Sequence, residues 1–155
     1  MKINLTQNKN FKLFKIISKV AQENNQTVYI VGGYVRDLLM QRKAPTDIDF
    51  VTEQSGIELA KAVGKQLGDL KVSVFKTYGT AMIKYQDLDL EFVGARKESY
   101  SEDSRKPAVE TGTLEDDQKR RDFTVNALAI SLNAENFGEL IDPFNGREDM
   151  QNKIL

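Results

Sequence analysis

The chain has 155 residues, with 22 basic and 23 acidic side chains, and contains neither cysteine nor histidine. The two absences exclude zinc-finger sites, Ser-His-Asp triads, cysteine nucleophiles and disulfides, so any catalysis falls to carboxylates, lysine, arginine, hydroxyls or an oxygen-bound metal ion. The near-neutral charge argues against a domain that holds nucleic acid through bulk positive charge.

The composition is that of an ordinary globular domain. Apolar residues make up 40% and charged residues 29% of the sequence, which suits one domain with its own core. No apolar stretch of about 18 residues is present, and the N-terminal residues lack the apolar segment of a secretory signal. We therefore expect no membrane partner and a cytoplasmic location.

The first half of the chain predicts helices and strands in alternation. Apolar residues at helical spacing mark the helices, and short apolar or alternating runs mark the strands. The helices are predicted over residues 9–24, 34–42 and 55–68, and the strands over residues 28–31 and 47–52.

A cluster of strands and then a polar stretch follow. Alternation and turn residues predict strands over residues 72–76, 80–85 and 88–93. The stretch 95–117 is polar and without clear periodicity, which predicts, over most of its length, a long mobile loop with a functional role.

The C-terminal part completes the predicted fold. We expect a helix over residues 114–122, a strand (or a helix running into one) over 125–132, a brief strand at 140–141 and a helix over 145–155. This order predicts an α+β palm, with a mixed sheet of about five strands and helices mainly on one side, rather than a doubly wound sheet. Because the last helix ends on apolar Ile154-Leu155, we expect the chain to be part of a longer protein.

The first candidate site is the Gly32-Gly33 turn between a predicted strand and helix. Glycines let the backbone approach an anion, and the start of the next helix directs N–H groups toward it. A tight structural turn would use the same residues, and the spacing matches neither the dinucleotide-binding nor the P-loop pattern. The motif alone leaves both roles open.

The second candidate is the pair Asp47 and Asp49. Residues two apart on a strand point to the same face, so the two positions would lie about 6–7 Å apart and could share one or two divalent ions. Solvated carboxylates at a sheet edge are the alternative, which the glycine turn 14 residues upstream makes weaker.

A third candidate is Glu91, which alternates with apolar residues on the strand that begins at Leu88. If this strand neighbours that of Asp47 and Asp49, three carboxylates would lie together, as Mg²⁺ chemistry requires. Alternation on a solvated face explains Asp89 better than it explains Glu91.

The fourth candidate is the heptapeptide RRDFTVN, residues 120–126. Paired arginines bind phosphates with bidentate geometry, and Asp122 and Asn126 could bind sugar hydroxyls. An amphipathic helix end with an aspartate cap is the plainer explanation.

Taken in order, five segments resemble one family. They resemble the catalytic head of class II tRNA nucleotidyltransferases, the CCA-adding enzymes, and of the similar bacterial poly(A) polymerases, which implies the polymerase-beta nucleotidyltransferase fold. The resemblance covers residues 28–155. The segments are VGGYVRDLL (31–39), TDIDFV (46–51), LEFVGAR (90–96), RRDFTVNALA (120–129) and IDPFNGREDM (141–150).

The resemblance implies a role for each candidate. Arg36 and Asp37 would hold the nucleotide or brace the glycine turn, Asp122 would help to select ribose, and the stretch 96–117 would take part in nucleotide selection. Asp142, Gly146 and Asp149 would have a structural or hinge role. The implied catalytic residues are Asp47, Asp49 and Glu91, of which Asp47 and Asp49 would bind Mg²⁺. The implied nucleotide-binding residues are Gly32, Gly33, Arg36, Asp37, Arg120, Arg121, Asp122 and Asn126.

The implied reaction is transfer of CMP or AMP from CTP or ATP to a tRNA 3′ end, with Mg²⁺ as cofactor. The neck motif that reads the base, and the body and tail domains that hold tRNA, would follow residue 155, so we expect the head alone to bind nucleotide weakly and to have little or no activity. Addition of poly(A) or of A alone is the first alternative. A non-catalytic nucleotide-binding domain is the second, and the intact Asp47 and Asp49 argue against it.

Overall fold

The computed structural model describes residues 1–99, 108–119 and 127–143, together with residues 146 and 148. Helices and strands alternate in the first half of the chain and strands predominate after it, with short 3-10 turns at Lys76–Tyr78 and Ala134–Asn136. In chain order, the α-helices and β-strands are α1 Phe11–Glu23, β1 Tyr29–Val31, α2 Gly33–Leu39, β2 Asp47–Thr52, α3 Gly56–Gln66, β3 Val72–Phe75, β4 Thr80–Tyr85, β5 Leu88–Gly94, β6 Arg96–Ser99, β7 Ala108–Thr111, α4 Leu114–Lys119, β8 Ala129–Ser131 and β9 Leu140–Ile141.

The main sheet has seven strands in the order β3-β4-β5-β2-β1-β8-β9. The central pair β2 and β5 is parallel, and the neighbouring pairs are antiparallel, so the sheet is mixed. The α+β palm is confirmed. The expected number of about five strands is too low, because the short strands β8 and β9 extend the sheet beyond β1.

The expectation of a loop over most of residues 95–117 is wrong at both ends of the stretch. β6 pairs with β7 as a separate antiparallel hairpin, from Arg96↔Thr111 to Ser99↔Ala108. Backbone hydrogen bonds hold such a pair, and the polar sequence RKES gives no alternating pattern from which to predict it. The predicted helix over 145–155 falls largely outside the described residues.

One face of the main sheet is covered by α1, α2 and α3. The apolar face of α1 contributes Phe14 and Ile17, both completely buried, and these meet Ile48, Phe50 and Phe92 from the central strands. The start of α3 is fixed by a side-chain cap, because Ser55 Oγ accepts a hydrogen bond from Glu58 N at 3.1 Å. The prediction that helices pack mainly on one side of the sheet is confirmed.

The opposite face carries a smaller apolar cluster and the candidate carboxylates. Tyr29, Val31, Val51 and Ala129 pack there against Leu114, the first residue of α4. Asp47 and Asp49 belong to this face because residues alternate along β2. No helix in the described part of the chain is long and apolar enough to cross a membrane.

Candidate active site

The pairing of β2 with β5 aligns the acidic residues of the two strands. Asp47 lies opposite Asp89 and Asp49 lies opposite Glu91, in parallel register. Neighbouring strands lie about 4.8 Å apart and paired residues share a face, so the carboxylates form two adjacent columns. The predicted adjacency of the Glu91 strand to the Asp47–Asp49 strand is confirmed.

Burial separates these acids from the residues between them. Ile48, Phe50 and Leu90 are fully buried on the helix-covered face, whereas Asp47 is exposed and Asp49 and Glu91 are half-buried. Alternating burial therefore fixes the register: a slip of one residue would bury the acids and expose the core side chains.

The acids suit a hard metal ion, although they do not form a complete cage. Among the described residues, no group of three His, Cys, Asp or Glu side chains is placed to hold a metal ion. Mg²⁺ needs no such cage, since it is usually bound by one or two carboxylates together with substrate phosphates and water. Asp47 and Asp49, with only oxygen donors and with Asp47 open to solvent, fit that arrangement.

The glycine turn lies directly against Asp49. Gly32 has φ 76° and ψ −147°, a conformation that side chains other than glycine rarely adopt. A Cβ at Gly32 would also lie 3.3 Å from Asp49 Oδ2. Val31 pairs with Asp49 across β1 and β2, which is what brings the turn to the acid.

Arg36 and Asp37 form an ion pair beside the same turn. Arg36 Nε lies 3.1 Å from Asp37 Oδ1, and Arg42 Nη1 lies 4.0 Å from the same oxygen. A Cβ at Gly33 would lie 3.3 Å from Arg36 Nη2, so the guanidinium covers the turn. Both side chains are half-buried, and the ion pair orients the guanidinium over Gly33.

Glu53 is a residue of this face that the sequence analysis missed. Its Oε2 accepts a hydrogen bond from Leu114 N at 2.9 Å, at the start of α4, and its Oε1 lies 3.5 Å from the hydroxyl of Tyr29. Burial raises the pKa of Tyr29, and the negative charge of Glu53 raises it further. A lone glutamate after a strand carries no signal in the sequence for this long-range contact.

Gln118 is the second residue that sequence reasoning missed. Its side chain is 2% exposed, and its Nε2 donates to Ala127 O at 2.7 Å and to Ile141 O at 3.3 Å. One amide group therefore joins the end of α4 to the chain entering β8 and to β9. Gln118 and Ala127, described residues on either side of the stretch 120–126, are thus in contact.

The remaining predicted residues have different outcomes. Asp142 Oδ1 accepts a hydrogen bond from Gly146 N at 2.6 Å, which is a local structural contact. The nucleotide-binding candidates Arg120, Arg121, Asp122 and Asn126, and also Asp149, lie outside the described residues. The structure thus brings together Gly32, Gly33, Arg36, Asp37, Asp47, Asp49 and Glu91.

A family model for the poly A polymerase head domain matches residues 28–155. The chain belongs to this family. The family resemblance stated from the sequence motifs is therefore confirmed, and the match includes the glycine turn and both strands that carry the acids.

Individual relatives agree with this assignment. An A-adding tRNA nucleotidyltransferase of Aquifex aeolicus (strain VF5) is 46% identical over 127 residues, which are 82% of this chain and 15% of that protein. A CCA-adding enzyme of Geobacillus sp. (strain WCH70) is 37% identical over 141 residues, 90% of this chain and 32% of that protein. The chain therefore spans a third or less of the length of these two relatives.

A solved structure shows the same fold. The crystal structure of a tRNA nucleotidyltransferase complexed with a primer tRNA and an incoming ATP analog matches with a TM-score of 0.76 and 42% identity. The match covers 88% of this chain and 37% of the other. The palm described above is thus the head fold of tRNA nucleotidyltransferases.

Proposed function

We propose that this chain is the nucleotidyl-transfer head of a tRNA CCA-adding enzyme, which transfers CMP or AMP from CTP or ATP to the tRNA 3′ end. The observation that carries the proposal is the contact between the glycine turn and the acidic strands: Gly32 lies against Asp49, and Asp49 is paired with Glu91. The tRNA and ATP analog in the related structure support the same substrates here.

In this proposal Asp47 and Asp49 would hold Mg²⁺, which would neutralise phosphate charge and lower the pKa of an attacking hydroxyl. The turn at Gly32-Gly33 lets the triphosphate approach the backbone, and Arg36 contributes positive charge, held in orientation by Asp37. The RNA 3′ hydroxyl gives its proton to water as its oxygen attacks the α-phosphorus, the bond from that phosphorus to the pyrophosphate oxygen breaks, and pyrophosphate leaves. Positioning and electrostatics supply the rate.

Glu91 acts in the proposal as a third carboxylate, and the residues 120–126 bind phosphate and ribose. Arg120 and Arg121 contact the triphosphate, while Asp122 and Asn126 bind the sugar hydroxyls. In the proposal, the tRNA itself is held mainly by domains outside this chain. The chain's net charge of −1 agrees with this, because it gives no bulk positive charge to hold RNA. A cytoplasmic place for the reaction remains a prediction, which cell fractionation would test.

Calorimetric titration of the chain with ATP and Mg²⁺ tests the metal assignment. We expect Mg²⁺-dependent ATP binding that is lost in Asp47→Asn/Asp49→Asn, which keeps the side-chain shape and removes the charge. Asp69→Asn is the matched control, because Asp69 is exposed, lies beyond α3 and has φ 55°, which asparagine tolerates. Equal metal-dependent binding by wild type and the double variant would refute the proposal.

A second candidate is addition of A alone, which one observation favours. The A-adding relative is 46% identical to this chain, compared with 37% for the CCA-adding relative. The full-length protein should be incubated with tRNA lacking its 3′ CCA and, in parallel, with tRNA that ends in CC, each with CTP or ATP separately. Incorporation of CMP supports CCA addition, and AMP incorporation confined to tRNA that already ends in CC supports the second candidate.

A further inference from the structure

The hydroxyl of Tyr34 joins the glycine turn to the N-terminal segment of the chain. Tyr34 is the second residue of α2 and is 2% exposed. Its hydroxyl accepts a hydrogen bond from Asn10 Nδ2 at 3.0 Å and donates one to Asn8 Oδ1 at 3.1 Å. Asn10 is itself 8% exposed, so the contact is shielded from water.

The ring of Tyr34 continues this connection under the acidic strands. It meets Phe14 edge-on at 5.7 Å, and Phe14 meets Phe50 at 6.3 Å. Phe50 then stacks on Phe92 at 4.9 Å. Phe50 directly follows Asp49, and Phe92 directly follows Glu91. The row of rings thus runs beneath the face that carries the acids.

The glycine turn that Tyr34 adjoins lies close to Asp49. A Cβ added at Gly32 would lie only 3.3 Å from Asp49 Oδ2. A shift of α2 by a few tenths of an ångström would therefore change the distance from the turn to the acid. Closely packed interiors transmit such shifts because they contain few voids.

We propose that Tyr34 is a positioning residue: its hydroxyl, held by Asn8 and Asn10, sets the distance of the Gly32-Gly33 turn from Asp49 for phosphate binding. The inference rests on the proposed function. It also gives the N-terminal segment a role, although residues before 28 lie outside the match to the family model.

Tyr34→Phe removes the hydroxyl and leaves Asn10 Nδ2 buried without its partner, so both stability and geometry are affected. We expect the Kd for ATP with Mg²⁺ to rise about fivefold, the effect of one neutral hydrogen bond. Tyr78→Phe is the matched control, since Tyr78 is 65% exposed; its Kd should equal that of wild type.

The double variant Tyr34→Phe/Asn10→Leu separates positioning from stability. Replacing both polar partners with apolar groups should restore the midpoint of urea unfolding, while the Kd stays raised because the tether is still missing. A Kd that returns to the wild-type value together with the unfolding midpoint would overturn the inference. So would an unchanged Kd in Tyr34→Phe.

Amide hydrogen exchange provides a test that needs no nucleotide. The amides of Val35 and Arg36 donate to Gly32 O at 3.1 and 3.2 Å and therefore report on the turn. In Tyr34→Phe they should exchange faster relative to Leu59 N, which donates to Ser55 O in α3. A uniform change in α2 and α3 would overturn the inference. If wild type binds no ATP, the proposed function fails, and this exchange result still decides whether Tyr34 holds the turn.

Discussion

Gly32 is the residue at which backbone conformation and the candidate site meet. At φ 76° and ψ −147° any other residue is strained by about 1–3 kcal/mol, and a Cβ would lie 3.3 Å from Asp49 Oδ2 as well. Gly32→Ala should therefore lower both the melting temperature and, by about tenfold or more, the affinity for ATP with Mg²⁺.

Gly79→Ala is the control for backbone strain. Gly79 has φ 62° with no atom within 4 Å of an added Cβ, so the variant should lose stability and keep its affinity. Thermal unfolding and calorimetry measure the two effects. If both variants keep wild-type affinity, the contact between Gly32 and Asp49 has no bearing on nucleotide binding.

Glu91 differs from Asp89 in its partner, although both are half-buried acids on one strand. Since Glu91 is paired with Asp49, Glu91→Gln should lower the turnover of the full-length enzyme by about tenfold or more, the scale of removing one electrostatic contact. Asp89→Asn, with Asp89 opposite Asp47, is the comparison and should have the smaller effect. If turnover is unchanged in Glu91→Gln, Glu91 lies beside the site and takes no part in catalysis.

Tyr29 gives the fold a dependence on alkaline pH. Because burial and Glu53 raise its pKa above 10.0, the folded state holds the phenolic proton more tightly than the unfolded state does. The stabilisation is complete below about pH 10 and is lost as the pH rises through the raised pKa. The free energy of unfolding of wild type, relative to Tyr29→Phe, should therefore fall as the pH rises from about 10 through the raised pKa, as measured by urea titrations. A difference in the free energy of unfolding that does not change with pH would contradict the raised pKa of Tyr29.

At the scale of elements, α4 is held to the acidic face at both of its ends. Glu53 accepts from the first residue of the helix, and Thr113 and Asp116 cap it reciprocally, at 3.2 and 3.0 Å. Gln118 joins the other end to Ala127 and Ile141. The C-terminal end of α4 is thereby held against the chain that enters β8 and against β9.

Gln118→Leu keeps the side-chain size and removes both hydrogen bonds. We expect a loss of about 1–3 kcal/mol in the free energy of unfolding, because the buried carbonyls lose their donor. The preference of the full-length enzyme for ATP over dATP should also decrease, if residues 120–126 bind ribose. Gln66→Leu, at the exposed last residue of α3, makes the same chemical change away from the site and should change neither quantity. If all three proteins prefer ATP over dATP to the same extent, Gln118 has no effect on nucleotide selection.

For the whole molecule, local patterns predicted the helices and the strands of the main sheet well. Periodicity marks α1 and α3, and alternation in DIDFVT and LDLEFV assigns the acids to one face. The pairing of Asp49 with Glu91 needed the parallel register of β2 and β5, which no local pattern encodes. The family resemblance supplied the roles that spacing alone left open.

The contacts that escaped prediction are polar and distant in sequence. Glu53 with Leu114, Gln118 with Ile141, and Tyr34 with Asn8 each depend on how elements meet. The hairpin of β6 and β7 escaped for another reason, since its strands lack hydrophobic alternation. Side-chain hydrogen bonds of this kind follow from the fold and do not specify it.

The central claim is that Asp47 and Asp49 hold a metal ion beside the Gly32-Gly33 turn. Its most direct test is a crystal structure of the chain grown with Mn²⁺ and a non-hydrolysable ATP analog, with anomalous diffraction data. We predict an anomalous peak about 2.2 Å from carboxylate oxygens of both Asp47 and Asp49, with the triphosphate at the turn. A well-ordered nucleotide whose Mn²⁺ lies away from both aspartates would contradict the claim.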